Sequence, residues 1–457
     1  MNVVLVIMDT LRRDHVGCYG NEWIQTPFLD QFGTESIRFV DAYPESLPTI
    51  EARQGMHTGI RLFPFNNHKS IKGDGVRWGG WHPIDDAKVT LSEILANADY
   101  RTGLITDVYH QMKPGMNFHR GFHQFQWIRG QEGDAWKSST TMAKRDISSI
   151  LPPTMVGTVK ERALRRYLAN VDIRQSEEDY FAPQVFRAGM RFLEDNRDDD
   201  FFLVIDSFDP HEPWDPPEWY SDQYNPGYDG RNYIWPTTQD SSIYSDEEIK
   251  QIRALYAGEV TMTDRWFGHF MSHLEQLGLK EKTLVVVLSD HGHLLGERGA
   301  IGKFSPYLYP ELLDIVLMIR RPDGADAGKV IDGYVYDHDL LPTILEFLQV
   351  DAPTKVDGVS LWPMVSETVG GRDYITCSMG SHLAYVDREY WYICERDGSE
   401  PKLYPMENYP SLDVDVAPQN PDICALLYRR LLGDAGGMIL PIDEESLRQV
   451  GPWYEQV

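Results

Sequence analysis

The chain has 457 residues, 42% of them hydrophobic, which is enough to bury a large core over about two to three domain equivalents. Its formal net charge is −27, from 70 acidic against 43 basic residues, and this excludes general binding to nucleic acid or to an anionic membrane surface. An anionic substrate must then be drawn in by a local cluster of positive charge, because the overall field repels it.

In chain order, the first strand is Asn2-Val3-Val4-Leu5-Val6-Ile7-Met8, a continuous apolar run of the kind covered on both faces, closing on Asp9. A helix is predicted from Thr49, after Pro48, up to Gly59, which suits the position just past a helix end. Thr90 and Glu93 have capping-box spacing for a helix through Leu91, Ile94 and Leu95, which leads into a short strand from Thr102 to Ile105. Residues from about 130 to 175 break this alternation. Their basic pairs Lys144-Arg145, Lys160-Glu161-Arg162 and Arg165-Arg166 read as a solvated helix, with a lid or an oligomer contact as the alternatives. Helix and strand resume at Tyr180 to Asn196 and Phe201 to Asp206. Ser245-Asp246-Glu247-Glu248 opens a long amphipathic helix ending near Gly278, followed by the strand Thr283 to Ser289 and another at Val316 to Ile319. Beyond about 370, Tyr374 to Cys377, Leu383 to Val386 and Tyr390 to Cys394 read as short antiparallel strands, with a helix at Ile423 to Leu432 packed on them.

The strand Thr283 to Ser289 ends on Asp290-His291, just as the first strand ends on Asp9. Ligands gather at the C-terminal ends of such strands, so two apolar strands far apart in sequence deliver hard oxygen and nitrogen donors to one edge, as a metal site requires. At the start of the predicted helix, the Thr49 hydroxyl lies among unpaired backbone N–H groups at the positive end of the dipole, where a phosphate or sulfate docks. Arg53, one turn on, shares that face and can offer a planar fork to the anion. A threonine hydroxyl is a poor nucleophile at neutral pH, but coordination to a divalent cation makes its alkoxide accessible. Thr49 also suits a plain helix cap, and the two roles are compatible.

In order and spacing, these motifs resemble the alkaline phosphatase superfamily and its sulfatase family, over almost the full length. The resemblance runs from Val6-Ile7-Met8-Asp9-Thr10-Leu11-Arg12-Arg13-Asp14 through the stretch Thr49 to Gly59. It continues in Phe208-Asp209-Pro210-His211-Glu212-Pro213-Trp214 and in Leu288-Ser289-Asp290-His291-Gly292 with Leu295-Gly296-Glu297. Asp337-His338-Asp339-Leu340-Leu341-Pro342-Thr343, Asp357-Gly358-Val359-Ser360-Leu361 and Lys402-Leu403-Tyr404-Pro405 extend it. The resemblance implies a large mixed, mainly parallel α/β sheet sandwiched by helices over residues 1–368, with the insertion at about 130–175. A small C-terminal α+β subdomain with a short antiparallel sheet would occupy 369–457. It also implies a metal ligand set of Asp9, Thr49, Asp290 and His291, with Thr49 the nucleophile. Arg53 would hold a nonbridging oxygen, and His211 and Lys303 would contact the transferred group and the leaving oxygen, His211 as general acid. Tyr109, His110 and Asn117 would line the pocket. His211 lies among Pro210, Pro213, Pro216 and Pro217, where a structural loop histidine is the competing reading. A mixed oxygen and imidazole set favours Mn²⁺ or Zn²⁺, with Ca²⁺ and Mg²⁺ admissible.

The departures from the family pattern are chemical. Sulfatases carry a Cys or Ser, oxidised to formylglycine, followed two residues on by Pro; here Thr49 and Glu51 stand in those places, and threonine cannot form that aldehyde. The acidic pair near the N-terminus is reduced to Asp9-Thr10, and Thr106-Asp107-Val108-Tyr109-His110 replaces an expected lysine and histidine. The expectation is therefore hydrolysis of a phosphodiester or phosphonate monoester through a covalent Thr49 intermediate. Sulfate ester hydrolysis without formylglycine and a metal-free, inactive binding relative are the alternatives. The four cysteines show no CxxC spacing, the first strand begins at Asn2, and no apolar run approaches the ~20 residues of a membrane span. The expectation is a cytoplasmic enzyme acting on a small anionic ester, without nucleic-acid or membrane partners, for which assembly into a homo-oligomer stays open.

Overall fold

The computed structural model describes residues 1–65, 79–138, 146–367 and 369–440. The basic pair Lys144-Arg145 and residues 441–457 lie outside them. The chain divides into two compact units, one built from residues 1–38, 92–302 and 316–330, the other from 39–91, 303–315 and 331–457.

The first unit is organised by a sheet with strands β1 (Asn2–Met8), β2 (Ile37–Phe39), β3 (Arg101–Thr106), β4 (Gln124–Trp127), β5 (Phe201–Ser207), β6 (Thr283–Ser289), β7 (Leu317–Arg320) and β8 (Val330–Ile331). Their order is β8-β2-β7-β6-β1-β5-β3-β4. The central run β6-β1-β5-β3-β4 is parallel, and β7 runs antiparallel to both β6 and β2. Every residue of β1, β5 and β6 is buried, as continuous apolar strands in a doubly covered sheet must be. In register, Met8 faces Ser289 on one side and Ser207 on the other. The chain therefore leaves β1 and β6 at the same edge, with Asp9 and Asp290 each one residue beyond it. Thr106 faces Asp206 across β3 and β5, so Asp107 follows at that edge too.

Among the described residues, two long helices pack into the core of this sheet. Phe181–Asp195 approaches β5 closely at Gly189, where an added Cβ would come within 2.7 Å of Ile205 Cδ1. Asp246–Gln276 starts with the expected capping box, Ser245 Oγ accepting from Glu248 N and Glu248 accepting from Ser245 N. The core between them holds Phe186, Phe192, Phe267 and Phe270. The charged insertion contributes the helix Val159–Val171.

Arg12 ties the start of the chain to the loop after β6. Its guanidinium is bidentate to Asp14 at 2.9 and 2.6 Å, and donates to His293 O at 3.1 Å and Glu297 Oε1 at 2.9 Å. Arg12 N donates to Tyr256 Oη, and that hydroxyl donates to Thr10 O. The brace thus grips both segments that carry Asp9 and Asp290-His291.

In the second unit, four antiparallel strands run in order β9 (Tyr374–Met379), β10 (His382–Asp387), β11 (Tyr390–Glu395) and β12 (Lys402–Pro405). The helix Pro421–Asp434 packs on this sheet through Cys424, Leu427 and Leu431 against Leu383, Tyr385, Tyr392 and Leu403. The same unit contains the helix Thr49–Thr58, which ends at Gly59 in the left-handed region, φ +65°.

The Glu297 carboxyl, which burial would raise, is held down to about 2 by Arg12 and by the backbone N–H of Leu295. A depressed carboxyl contributes stability that is complete above its ordinary value of 4.5 and fades as pH falls towards about 2. Glu297→Gln should cost about 2 kcal/mol in urea unfolding at neutral pH, and the gap to wild type should narrow by about pH 3. A gap of constant size from neutral pH to pH 3 would contradict the brace.

Candidate active site

Asp9, Asp290 and His291 meet at the edge where β1 and β6 end, with one potential ligand atom from each within 4.8 Å of the others. All three are fully buried. Asp290 Oδ1 accepts from Thr10 N at 3.0 Å and from His291 N at 2.8 Å, which fixes its carboxylate plane. His291 Nδ1 donates to Gly292 O at 2.8 Å, so Nε2 is the nitrogen left to ligate. Two buried carboxylates beside one imidazole are costly as isolated charges but suited to a divalent cation, so the donor set fits one. Thr10, a β-branched residue at φ +57°, is held in a backbone region that such residues avoid. Strain of this kind is tolerated where the surroundings over-determine it, here by Asp290 and Tyr256.

His211 lies in the loop after β5. Its ring stacks on Phe208, centroids 3.9 Å apart, and Nδ1 donates to Glu212 O at 2.6 Å. His211, Glu212 and His293 are all buried, and Glu212 Oε2 is 3.0 Å from His293 Nε2 and 3.2 Å from His211 Nδ1. The loop is held from behind by acids the motif comparison assigns no role. Asp107 Oδ1 accepts from Phe208 N at 2.7 Å, and Asp209 Oδ2 accepts from Ala182 N at 2.9 Å. Gln131 Nε2 donates to both carboxylates. Burial, and each carboxylate's neighbouring acids, push Asp107 well above the ordinary range and Asp209 up to about 6. The one local sign of these roles was a charged residue ending an apolar strand or sitting inside the proline-rich loop.

Tyr109 and His110 follow β3, their rings 4.0 Å apart. His110 Nε2 donates to Glu132 Oε2 at 2.9 Å, and Lys113 Nζ donates to His110 Nδ1 at 3.2 Å, so both ring nitrogens serve the loop. Against the effect of burial, His110 holds Glu132 down to about 2. Lys113 also lies 5.0 Å over the Tyr109 ring. Phe208 stands next to both His110 and His211, which brings those two predicted residues to one aromatic cluster. Asn117 sits further along the same loop, half-buried, at φ +67°.

Thr49, Arg53 and Lys303 belong to the second unit. Pro48 takes the cap position of the helix, so Thr49 is its first helical residue and the plain capping role falls away. Arg53 is fully buried, and its Nη1 donates to Thr49 O at 3.2 Å, placing guanidinium and nucleophile candidate on one face. Glu51, where the family carries proline, is buried against Gly80, where an added Cβ would come within 2.7 Å of Glu51 Cγ. The far end of the helix is clamped: Asp357 N and Gly358 N both donate to Gly59 O, and a Cβ at Gly55 would lie 3.4 Å from His338 Cβ. Asp339 accepts from Val359 N and Tyr336 N and is bidentate to Arg372 at 2.6 and 2.7 Å. Thr343 Oγ1 accepts from Leu361 N. The late motifs Asp337 to Thr343 and Asp357 to Leu361 are thus one brace for the Thr49 helix. Lys303, half-buried, opens the segment that follows the strand Ile301–Gly302.

A model of the sulfatase family matches residues 1–350. An arylsulfatase of Clostridium perfringens is 26% identical over 438 residues, spanning 87% of this chain and 84% of that protein. The multifunctional alkaline phosphatase superfamily protein PehA of Trinickia caryophylli is 23% identical over 423 residues, covering 80% of this chain and 77% of its own. The crystal structure of a phosphonate monoester hydrolase of Agrobacterium radiobacter matches the fold with a TM-score of 0.74 at 18% identity, over 96% of each chain. With the matched family model covering most of the chain and the expected sheet in place, the chain belongs to the sulfatase family of the alkaline phosphatase superfamily and is a hydrolase of ester bonds.

Proposed function

We propose that this hydrolase cleaves a phosphodiester or a phosphonate monoester, with Thr49 forming the covalent intermediate. The observation that carries the reading is threonine, followed by Glu51 rather than proline, at the start of a buried helix whose next turn supplies Arg53. This residue cannot become formylglycine, so a hydroxyl must do the displacement itself. The Thr49 hydroxyl loses its proton to solvent and its Oγ forms a bond to phosphorus while the bond to the leaving oxygen breaks. Arg53 holds a nonbridging oxygen, with Lys303 beside the leaving group, and His211 gives its proton to the departing oxygen. A water then attacks phosphorus as the bond to Thr49 Oγ breaks; a proton of that water restores His211, and Thr49 Oγ takes its own proton back from solvent. A divalent cation held by Asp9, Asp290 and His291, Mn²⁺ or Zn²⁺ by donor type, would supply charge neutralisation and a lowered proton affinity for oxygens bound to it. Such transfer asks the protein chiefly for positioning and charge, which suits a buried, braced helix start.

The names of the curated relatives favour a second reading, attack of Thr49 on a sulfate ester, and the substrate panel below separates the two. The same proposal places the enzyme in a reducing cytoplasm, since Cys18, Cys377, Cys394 and Cys424 are all free thiols.

On 4-nitrophenyl phosphodiesters, phosphonates and sulfates, the phosphorus esters should turn over with the higher kcat/KM; a sulfate preference would overturn the choice. Thr49→Ala should lower kcat by about 10³-fold or more, with bound metal partly retained by elemental analysis, and a quenched wild-type reaction should yield a phosphorylated Thr49 peptide. Unchanged turnover would remove Thr49 from the mechanism. Asp290→Asn should lower metal content in the same assay by about tenfold or more, whatever the substrate.

A further inference from the structure

Glu212 is a buried acid, inside the motif Phe208 to Trp214, that the mechanism above does not employ. Its carboxylate lies between two imidazoles, 3.0 Å from His293 Nε2 and 3.2 Å from His211 Nδ1, and its other oxygen accepts from Thr237 Oγ1 at 3.4 Å. Glu212 and His211 are each only 4% exposed and His293 is fully buried. His293 is itself fixed, with Nδ1 donating to Leu294 O at 2.8 Å and the Trp214 ring set edge-on at 5.0 Å. Thus one carboxylate oxygen, Oε2, lies between a fixed histidine and the candidate general acid.

We propose that Glu212, braced by His293, is a positioning residue that sets the His211 ring for proton delivery to the leaving oxygen. Phe208 is stacked on the face of that ring, and the carbonyl and carboxylate of Glu212 lie on its Nδ1 edge. With the Nδ1 proton committed there, exchange with the substrate falls to Nε2, so Glu212 selects both the ring orientation and the nitrogen that works. The step balances. The Nε2–H bond breaks as an O–H bond forms on the leaving oxygen, which takes the electron pair of the breaking P–O bond. The ring is left neutral with its proton still on Nδ1 and directed at Glu212, and the hydrolytic water later restores the proton to Nε2. A carboxylate orienting an acid in this way matters most when the leaving group needs that proton, so its signature is leaving-group dependence rather than general loss of rate.

This inference rests on the reading of the site as a phosphoester hydrolase with His211 as its acid, and the test separates the two. Turnover is measured for wild type, Glu212→Gln, His211→Ala and the double variant on aryl phosphodiesters and phosphonates whose leaving groups run from 4-nitrophenol to phenol. Metal content is measured alongside. Glu212→Gln should lose about tenfold more kcat on the phenyl than on the 4-nitrophenyl ester, with KM and metal content unchanged. His211→Ala should show the same trend more steeply, and the double variant should match His211→Ala. An even loss across the series, or a double variant carrying the summed losses, would overturn the proposal while leaving the phosphoester reading in place. If Glu212→Gln does not fold, Glu212→Asp replaces it, with the same trend expected at smaller amplitude and a flat profile overturning the idea. Wild type that hydrolyses none of the phosphorus esters would sink the parent reading, and this one with it.

Discussion

The parallel pairing of β1 with β6 is the constraint from which the chemistry of the first unit follows. Met8 lies opposite Ser289, so the residues after each strand emerge side by side although 280 positions separate Thr10 from Asp290. Concentrating two carboxylates and an imidazole in a fully buried corner is unfavourable in itself. Burial of seven-residue apolar strands on both faces offsets that cost, because their removal from water is the main favourable term in folding. The pairing is also strict: with a side-chain period of two, a shift by one residue would turn every buried side chain of the strand to the opposite face and carry Asp9 away from His291.

Within each unit, the motif residues divide by task. In the first motif Asp9 belongs to the trio that could hold a cation, while Arg12 and Asp14 act as the brace; in the loop after β6, Asp290 and His291 complete that trio and Glu297 receives Arg12. The late motifs contain no donor of the trio. Asp339, Thr343 and the stretch around Val359 and Leu361 instead hold the helix that begins at Thr49. A family signature of this kind records the parts that hold a reactive group still as much as the group itself. The departure at Thr49 therefore changes the side chain at the start of this helix while the brace on its far end is kept.

What could be read from the chain alone was what local pattern dictates. Buried strands announce themselves by continuous apolar runs, the long helix by Ser245 and Glu248, and the end of the Thr49 helix by Gly59, because each is settled by neighbours a few residues away. The antiparallel strands at Tyr374, Leu383 and Tyr390 were legible as short strands, but the fourth, Lys402–Pro405, was legible only as a motif, since its partner is chosen by the sheet. β4 is largely exposed and has too little apolar character to stand out. The helix Pro27–Thr34 escaped notice for a different reason: its first turn is capped by Asp264, 235 residues away, accepting from Phe28 N and Leu29 N. Likewise Glu212, Asp107 and Asp209 acquire meaning only through partners that tertiary folding brings to them. Thr49 was correctly placed at a helix start, yet the cap itself is Pro48, a distinction of one residue that composition cannot make.

The second unit is woven from three separated stretches, and this has a consequence for biosynthesis. All donors of the trio have been translated once His291 has left the ribosome, whereas the helix at Thr49, made much earlier, must wait for residues 337–361 before anything grips its far end. A nascent chain therefore holds all three residues of the buried corner well before it holds the residues that brace this helix. No contiguous fragment of the second unit can therefore be excised with the supports of this helix intact.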